Sequence, residues 1–350
     1  MKEKNVRLEL IRAVALVFIL FSHFFDHTGL YEGAVMLPVK ISAISLRMVV
    51  GQCVTLFMML TGYLCCEKKL SARYYLGIVK IYGIYLICSV MTLAFDVLVM
   101  HQQYGLQYIV GSIINFYACP YAWYMLMYLG LFLMIPFLNL AFNGLSGKKQ
   151  HLALLATVFY LSVMPSLMNS FFQLHSIWWK NLSPILYYFT GAYLRRYKPE
   201  LSFRKALGLL VVILAAFVSF DLLHYGTGGE WIITVSYNDH YQAYFVSLCL
   251  FFLLNSIRAE NLPGWLRKGI SVVSTLSLAA YLLSGISDNL IYPVFKSLVP
   301  DQNMQLLWLL PVAGLSLALA LFLAWIAMLL YKPFEKIVYA LLYRLFPVLK

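Results

Sequence analysis

The stretch Arg7–His27 reads RLELIRAVALVFILFSHFFDH. Its middle is apolar, and its length matches the ~20 residues a helix needs to cross a hydrocarbon core. An ionisable side chain in hydrocarbon is costly, so Glu9, Arg12, His23 and Asp26 need a reason to sit in or beside this segment. Helical geometry supplies one. His23 follows Arg12 by eleven residues; at ~100° per residue the two share nearly one face, about 16 Å apart along the axis. One wall of one helix then carries a guanidinium near one membrane surface and an imidazole near the other. That arrangement suits a long anionic molecule threaded into the bilayer.

The rest of the chain agrees with a membrane setting. Of its 350 residues, 62% are hydrophobic and only 11% charged, against about 25% charged in soluble domains. The apolar segments are long, so the expected fold class is all-α, a polytopic membrane helix bundle rather than a barrel. The first segment has no small-residue cleavage site and more membrane follows it, so it reads as a retained helix rather than a signal peptide. Ten spans are expected, at roughly 8–28, 42–64, 74–99, 122–143, 151–171, 182–195, 206–223, 241–257, 270–293 and 304–331. The sixth is short, and 105–119 reads as a re-entrant or interfacial helix. Most Lys and Arg fall on one side, in the segments 2–7, 68–80, 148–149, 195–205, 258–268 and 332–350. By the positive-inside rule that side is cytoplasmic and holds both termini. The net charge of +12 is therefore a topology signal, and its dispersal over short segments argues against nucleic acid. The division is a transmembrane domain over 1–332 and a C-terminal interfacial amphipathic helix over 333–350.

The polar residues fall at two levels. Glu9, Arg12 and Lys80 lie near the cytoplasmic face. His23, Asp26, His27, Arg47, Asp96, Asp221, His224 and Asp288 lie toward the outer face, and together suggest one cavity opening outward. Asp26, three residues after His23, is placed to accept from its ring and fix the tautomer, leaving the other nitrogen as a base. Glu9 and Arg12 have the same spacing and suit a pair. The six cysteines read as small buried hydrophobes. There is no phosphate-cradling glycine loop, no nucleophile-elbow serine and no metal-ligand set, so no metal is expected.

These residues build a pattern. Glu9-x-x-Arg12 followed by His23, the run Gly51 to Leu64 with Thr61-Gly62-Tyr63, the run Trp123 to Asn139 with its Pro136, the Tyr-Tyr-Phe-Thr-Gly-Ala-Tyr-Leu-Arg-Arg run from 187 to 196, and the stretch Leu276 to Leu283 together resemble the acyltransferase-3 family of bacterial integral membrane acyltransferases. The chain departs from that pattern at Lys80, Gly83 and Ser284. The resemblance implies a multi-pass protein of the bacterial cytoplasmic membrane. It implies transfer of an acyl group, commonly acetyl, from cytoplasmic acyl-CoA to a hydroxyl of a surface glycan or lipid-linked saccharide. Members often carry an added esterase-like domain; here such a domain is expected as a separate protein.

On this reading acetyl-CoA or another acyl-CoA is the donor, and membrane lipids and the saccharide acceptor are the other partners. His23 is the catalytic base or a transient acyl carrier, with Asp26 orienting it. Arg12, its neighbour Glu9, Lys80 and Arg73 hold the donor; Arg pairs with two phosphate oxygens at once. Tyr63, Trp123, Tyr124, Arg47 and Asp288 line the substrate channel. The competing readings are a flippase or exporter of lipid-linked saccharide, and a glycan polymerase or ligase.

Overall fold

The structure is a computed structural model. It describes residues 5–30, 35–169, 171, 178–225 and 238–345. Every regular element among them is helical: α1 (Val6–Thr28), α2 (Leu37–Val50), α3 (Cys53–Cys65), α4 (Ala72–Tyr75), α5 (Gly77–Leu98), α6 (Leu106–Ile114), α7 (Trp123–Asn143), α8 (Lys148–Ser162), α9 (Met164–Asn169), α10 (Ser183–Tyr197), α11 (Phe203–Tyr225), α12 (Tyr241–Asn255), α13 (Gly264–Leu298), α14 (Gln302–Gln305) and α15 (Leu309–Leu345), with short 3-10 turns between some of them.

Seven stretches are long and apolar enough to cross a membrane: 6–28, 37–65, 72–98, 123–143, 203–224, 264–298 and 302–342. The other three expected spans are also helical but shorter. α8 and α9 are separated at Val163, and α10 and α12 have 15 residues each. Fifteen residues rise about 22 Å, less than the ~30 Å hydrocarbon core. Residues 105–119 contain the mostly exposed α6. The tail expected from 333 runs on from the last span without a break, because α15 passes through Pro333 to Leu345.

Local chemistry sets the ends of the first helix. The Asn5 side chain accepts from the Arg7 N–H, Glu9 sits in the positive first turn, and Gly29 closes the helix with φ 63° while donating to the Phe25 carbonyl. A side chain at that φ would be strained, so glycine suits the stop. The second crossing is bent rather than straight. α2 and α3 meet at Gly51-Gln52, where freed polar groups find partners across the bundle. Ser247 on α12 lies 2.6 Å from Thr55 Oγ1 and donates to Gln52 Oε1 at 3.0 Å.

α1 is the axial rod, in contact with α2, α3, α12, α13 and α15. Two close approaches hold its surroundings. A Cβ at Gly62 would overlap the Tyr188 carbonyl, and one at Gly191 would overlap the Met59 carbonyl. The Thr-Gly-Tyr and Thr-Gly-Ala motifs are thus the two sides of one α3–α10 backbone contact, the small-residue packing expected between helices in lipid. The last helix does the same with Ala313, Ser316, Ala320, Ala324 and Ala327, all buried along one stripe, and it packs against α13. The cysteines are all free; Cys53, Cys66, Cys88, Cys119 and Cys249 are buried and Cys65 partly so.

Candidate functional site

Arg12 and His23 lie on the same rod, and α13 faces both. Near the start of α1, Arg12 Nη1 donates to Ser274 Oγ at 3.3 Å, and Ser271 Oγ donates to Glu9 Oε1 at 3.4 Å. Glu9 and Arg12 thus both reach α13. About three turns along the rod, His23 Nδ1 lies 2.8 Å from Asp288 Oδ2, with the His23 side chain 8% exposed and that of Asp288 1% exposed. The spacing of 14 residues between Ser274 and Asp288 on α13 keeps both on the face turned to α1.

Asp288 is the centre of the buried polar cluster. Tyr121 donates to its Oδ2 at 3.0 Å and Ser316 donates to its Oδ1 at 2.7 Å. A carboxylate with these donors stays an acceptor, so the His23 Nδ1 that faces it carries the proton and Nε2 is left as the basic nitrogen. No hydrogen bond to Nε2 occurs among the described residues. The Tyr121 ring also stacks on His23, centroids 3.9 Å apart. His27, one turn on, lies 3.1 Å from the Tyr121 hydroxyl and stacks on Tyr292.

This corrects the expected role of Asp26. Asp26 is not the group on His23 Nδ1; its Oδ1 takes Arg47 Nη2 at 3.0 Å. Arg47 also donates to Ser22. The reason is packing between helices: α2 brings the Arg47 guanidinium onto Asp26, and α13 brings Asp288 onto the His23 face. Asp288, expected in the channel wall, takes the orienting position instead.

The single outward cavity expected from eight polar residues resolves into separate places. His23, His27 and Asp288 come together, with Asp26 and Arg47 beside them. Asp96 takes the Tyr104 hydroxyl at 3.4 Å near the end of α5. Asp221 is buried on α11 and accepts from Gln242 on α12 at 2.7 Å. His224 stacks on Phe220 near the end of α11.

Three cavities adjoin along the bundle. The first opens at the face where α1 begins and is lined by Asn5, Glu9, Arg12, Tyr63, Glu67 and Arg195 among others. The Arg195 guanidinium stands over the Tyr63 ring, 5.3 Å from its centroid. The second, about 180 Å³, lies further along the bundle and shares Arg12 and Leu64 with the first; Ile19, Tyr124, Met125 and Tyr281 line it. The third opens on the opposite face around Trp123 and shares Val54 with the second. Arg12 therefore lines both the entrance and the chamber.

His23 does not line the chamber. Ile19, one turn before it, does, and so does Tyr281, whose hydroxyl donates to the Tyr121 carbonyl. Tyr281 thus links the wall of the chamber to Tyr121, whose ring stacks on the imidazole. Of the other expected site residues, Tyr63 lines the entrance, Tyr124 the chamber and Trp123 the far cavity. Arg73 and Lys80 are exposed on α4 and α5 and line none of these cavities. Tyr121 and Ser316 carry no local signal that marks them, and Arg195 was visible only as one of the basic residues that close the 187–196 run. Tyr121 meets His27 and Asp288 across 94 and 167 residues of sequence. No group of three or more His, Cys, Asp and Glu residues placed to hold a metal occurs among the described residues.

Fold and site together define a multi-pass helical membrane protein with Arg12 in the wall of two adjoining cavities and a buried His23–Asp288 pair further along the same helix. The model of the Acyl_transf_3 family, described as an acyltransferase domain, matches residues 5–328. The chain belongs to that family. No curated protein matches it, and no solved structure does.

Proposed function

We propose that the protein transfers an acyl group, acetyl in the first instance, from acyl-CoA to a hydroxyl of a surface glycan or lipid-linked saccharide at the cytoplasmic membrane. The observation that carries this reading is Arg12 in the wall of both entrance and chamber, on the same helix face as the Asp288-held His23. The donor's nucleotide would rest in the entrance, with Arg12 and Arg195 drawing its phosphates. Arg73 and Lys80, away from the cavities, would act only through long-range attraction of the anion. The pantetheine arm, comparable in length to the rise from Arg12 to His23, would enter the chamber past Tyr124.

The chemistry follows from the tautomer. The acceptor hydroxyl gives its proton to His23 Nε2 as its oxygen bonds to the thioester carbonyl carbon. The carbon–sulfur bond then breaks, and the imidazolium returns the proton to the thiolate. Asp288 stabilises the imidazolium while it exists. The alternative route, acylation of Nε2 itself, uses the same atoms in two displacements. Either route requires the acyl group to pass beyond the chamber wall, which includes Tyr281 and Ile19, to reach His23.

The test is detergent-purified protein given labelled acetyl-CoA and a glycolipid extract. Label should appear in saccharide with the wild type and not with His23→Ala. Equal labelling by both proteins removes the catalytic assignment. Acetyl-CoA should also raise the melting temperature, since a ligand that binds only the folded state stabilises it. An exporter of lipid-linked saccharide would show neither response.

A further inference from the structure

The cavity on the face opposite the start of α1 is built differently from the entrance. Trp123 opens α7 there with 52% of its surface exposed. Its indole meets Tyr124 edge to face, centroids 6.3 Å apart, which limits how far the ring can swing. Around it stand Lys180 and Asn181 from the turn before α10, and Asn238 and Asp239 from the turn before α12. The wall is anchored: the fully buried Tyr187 donates its hydroxyl to the Asn238 carbonyl at 2.7 Å. The floor is Val54, which this cavity shares with the chamber.

The mixture of groups selects a chemistry. Two amide side chains, one carboxylate and one ammonium offer donors and acceptors in several directions with no net charge. An anion site would need cations in excess, and here the one cation, Lys180, is balanced by Asp239. A half-exposed indole face beside such groups suits a pyranose ring, whose axial C–H face is apolar and whose rim is all hydroxyl. We infer that this cavity is a saccharide-binding site, with Trp123 as the platform beneath the sugar and Asp239, Asn181 and Lys180 holding its hydroxyls. The inference rests on the acyltransferase reading only in making that sugar the acceptor. Saccharide and donor would then approach the chamber from opposite faces, and Val54 would mark where the two routes meet.

The test uses the full chain in lipid nanodiscs and saturation-transfer difference NMR. The probes are the methyl glycosides of glucose, galactose, mannose, rhamnose and N-acetylglucosamine. At least one should receive saturation, strongest at its ring C–H protons. Trp123→Ala should weaken that binding about tenfold, the scale of a lost aromatic platform, while Trp123→Phe keeps most of it. Trp123→Ala should melt cooperatively close to the wild-type temperature in the same nanodiscs, which establishes that it is folded whether or not acetyl-CoA binds. The inference is overturned if the wild type takes up no probe, or if Trp123→Ala binds the probe as well as the wild type does. Trp123-dependent probe binding without any acetyl-CoA response would support the saccharide site and remove the acyl-CoA reading, so the two fail separately.

Discussion

His23 Nδ1 has one proton to donate, and the identity of its acceptor sets the hierarchy of substitutions. His23→Ala should abolish transfer. Asp288→Asn should lower kcat by about 10²–10⁴-fold, because the amide cannot stabilise the imidazolium and permits the wrong tautomer. Asp26→Asn should lower kcat much less, since its partner is Arg47; its cost should appear as a lower melting temperature from a less well-paired buried guanidinium. Initial rates beside thermal melts of the three variants separate these effects, and equal kcat losses for Asp26 and Asp288 would contradict the assignment. Arg12→Ala should raise the KM for acetyl-CoA about tenfold or more, the loss of a charge-assisted contact, with a smaller change in kcat. The spacing of Arg12 and His23 was readable because both lie on one helix. The partner of His23 was not, because Asp288 lies 265 residues away and any polar residue on a facing helix would have served as well on paper.

At the scale of elements, the α3–α10 crossing is the most constrained. Gly62→Val or Gly191→Leu would drive a side chain into the opposite backbone, which has no rotamer to yield. Either variant should give little folded protein in detergent, and overpacking that can relax would still cost about 1–3 kcal/mol. Gly208, with open space around its Cβ position, should tolerate Ala with a yield close to wild type, so the pair of measurements separates contact from composition. The glycines were visible in sequence within similar Thr-Gly motifs. That they face each other was not, since helical periodicity gives a face but not its neighbour. Pro333 shows the reverse limit. It marks a natural stop for a helix read in isolation, yet α15 continues through it, as helices do where neighbouring groups take up the freed carbonyl.

At the scale of the whole molecule, an ion pair ties α1 to the loop before α13. Arg7 Nε donates to Glu260 Oε1 at 2.9 Å, and both side chains are about half exposed. A backbone hydrogen bond at Glu260, and then Arg7, hold its carboxyl below the usual carboxylate range. The sign follows: this pair contributes above the unfolded carboxylate's pKa, and its contribution is lost as pH falls through the lowered folded value. Solvent screening keeps it small. Glu260→Gln should therefore leave the melting temperature nearly unchanged at neutral pH and remove only part of its decline in acid. Melts of both proteins across the acidic range test this; a large neutral-pH drop would mean that the fold relies on the pair. Saturating acetyl-CoA should have the larger effect, about 2.7 kcal/mol at a hundredfold excess over Kd.

The sequence alone determined that this chain is a helical membrane protein, and it placed a guanidinium and an imidazole on one stripe of its first helix. Hydropathy, helical period and the cost of burying charge act over neighbouring residues, so a linear reading contains them. It also carried the family pattern, which the match over 5–328 bears out. Only the tertiary structure decided that Asp288 and Tyr121 hold His23, that Arg195 joins Arg12 at the entrance, and that Trp123 belongs to a cavity on the opposite face. Those assignments depend on which helices lie side by side. That choice is made by the fit of small residues such as Gly62, Gly191 and Ala320 against distant backbones, a property of the packed bundle rather than of any one segment.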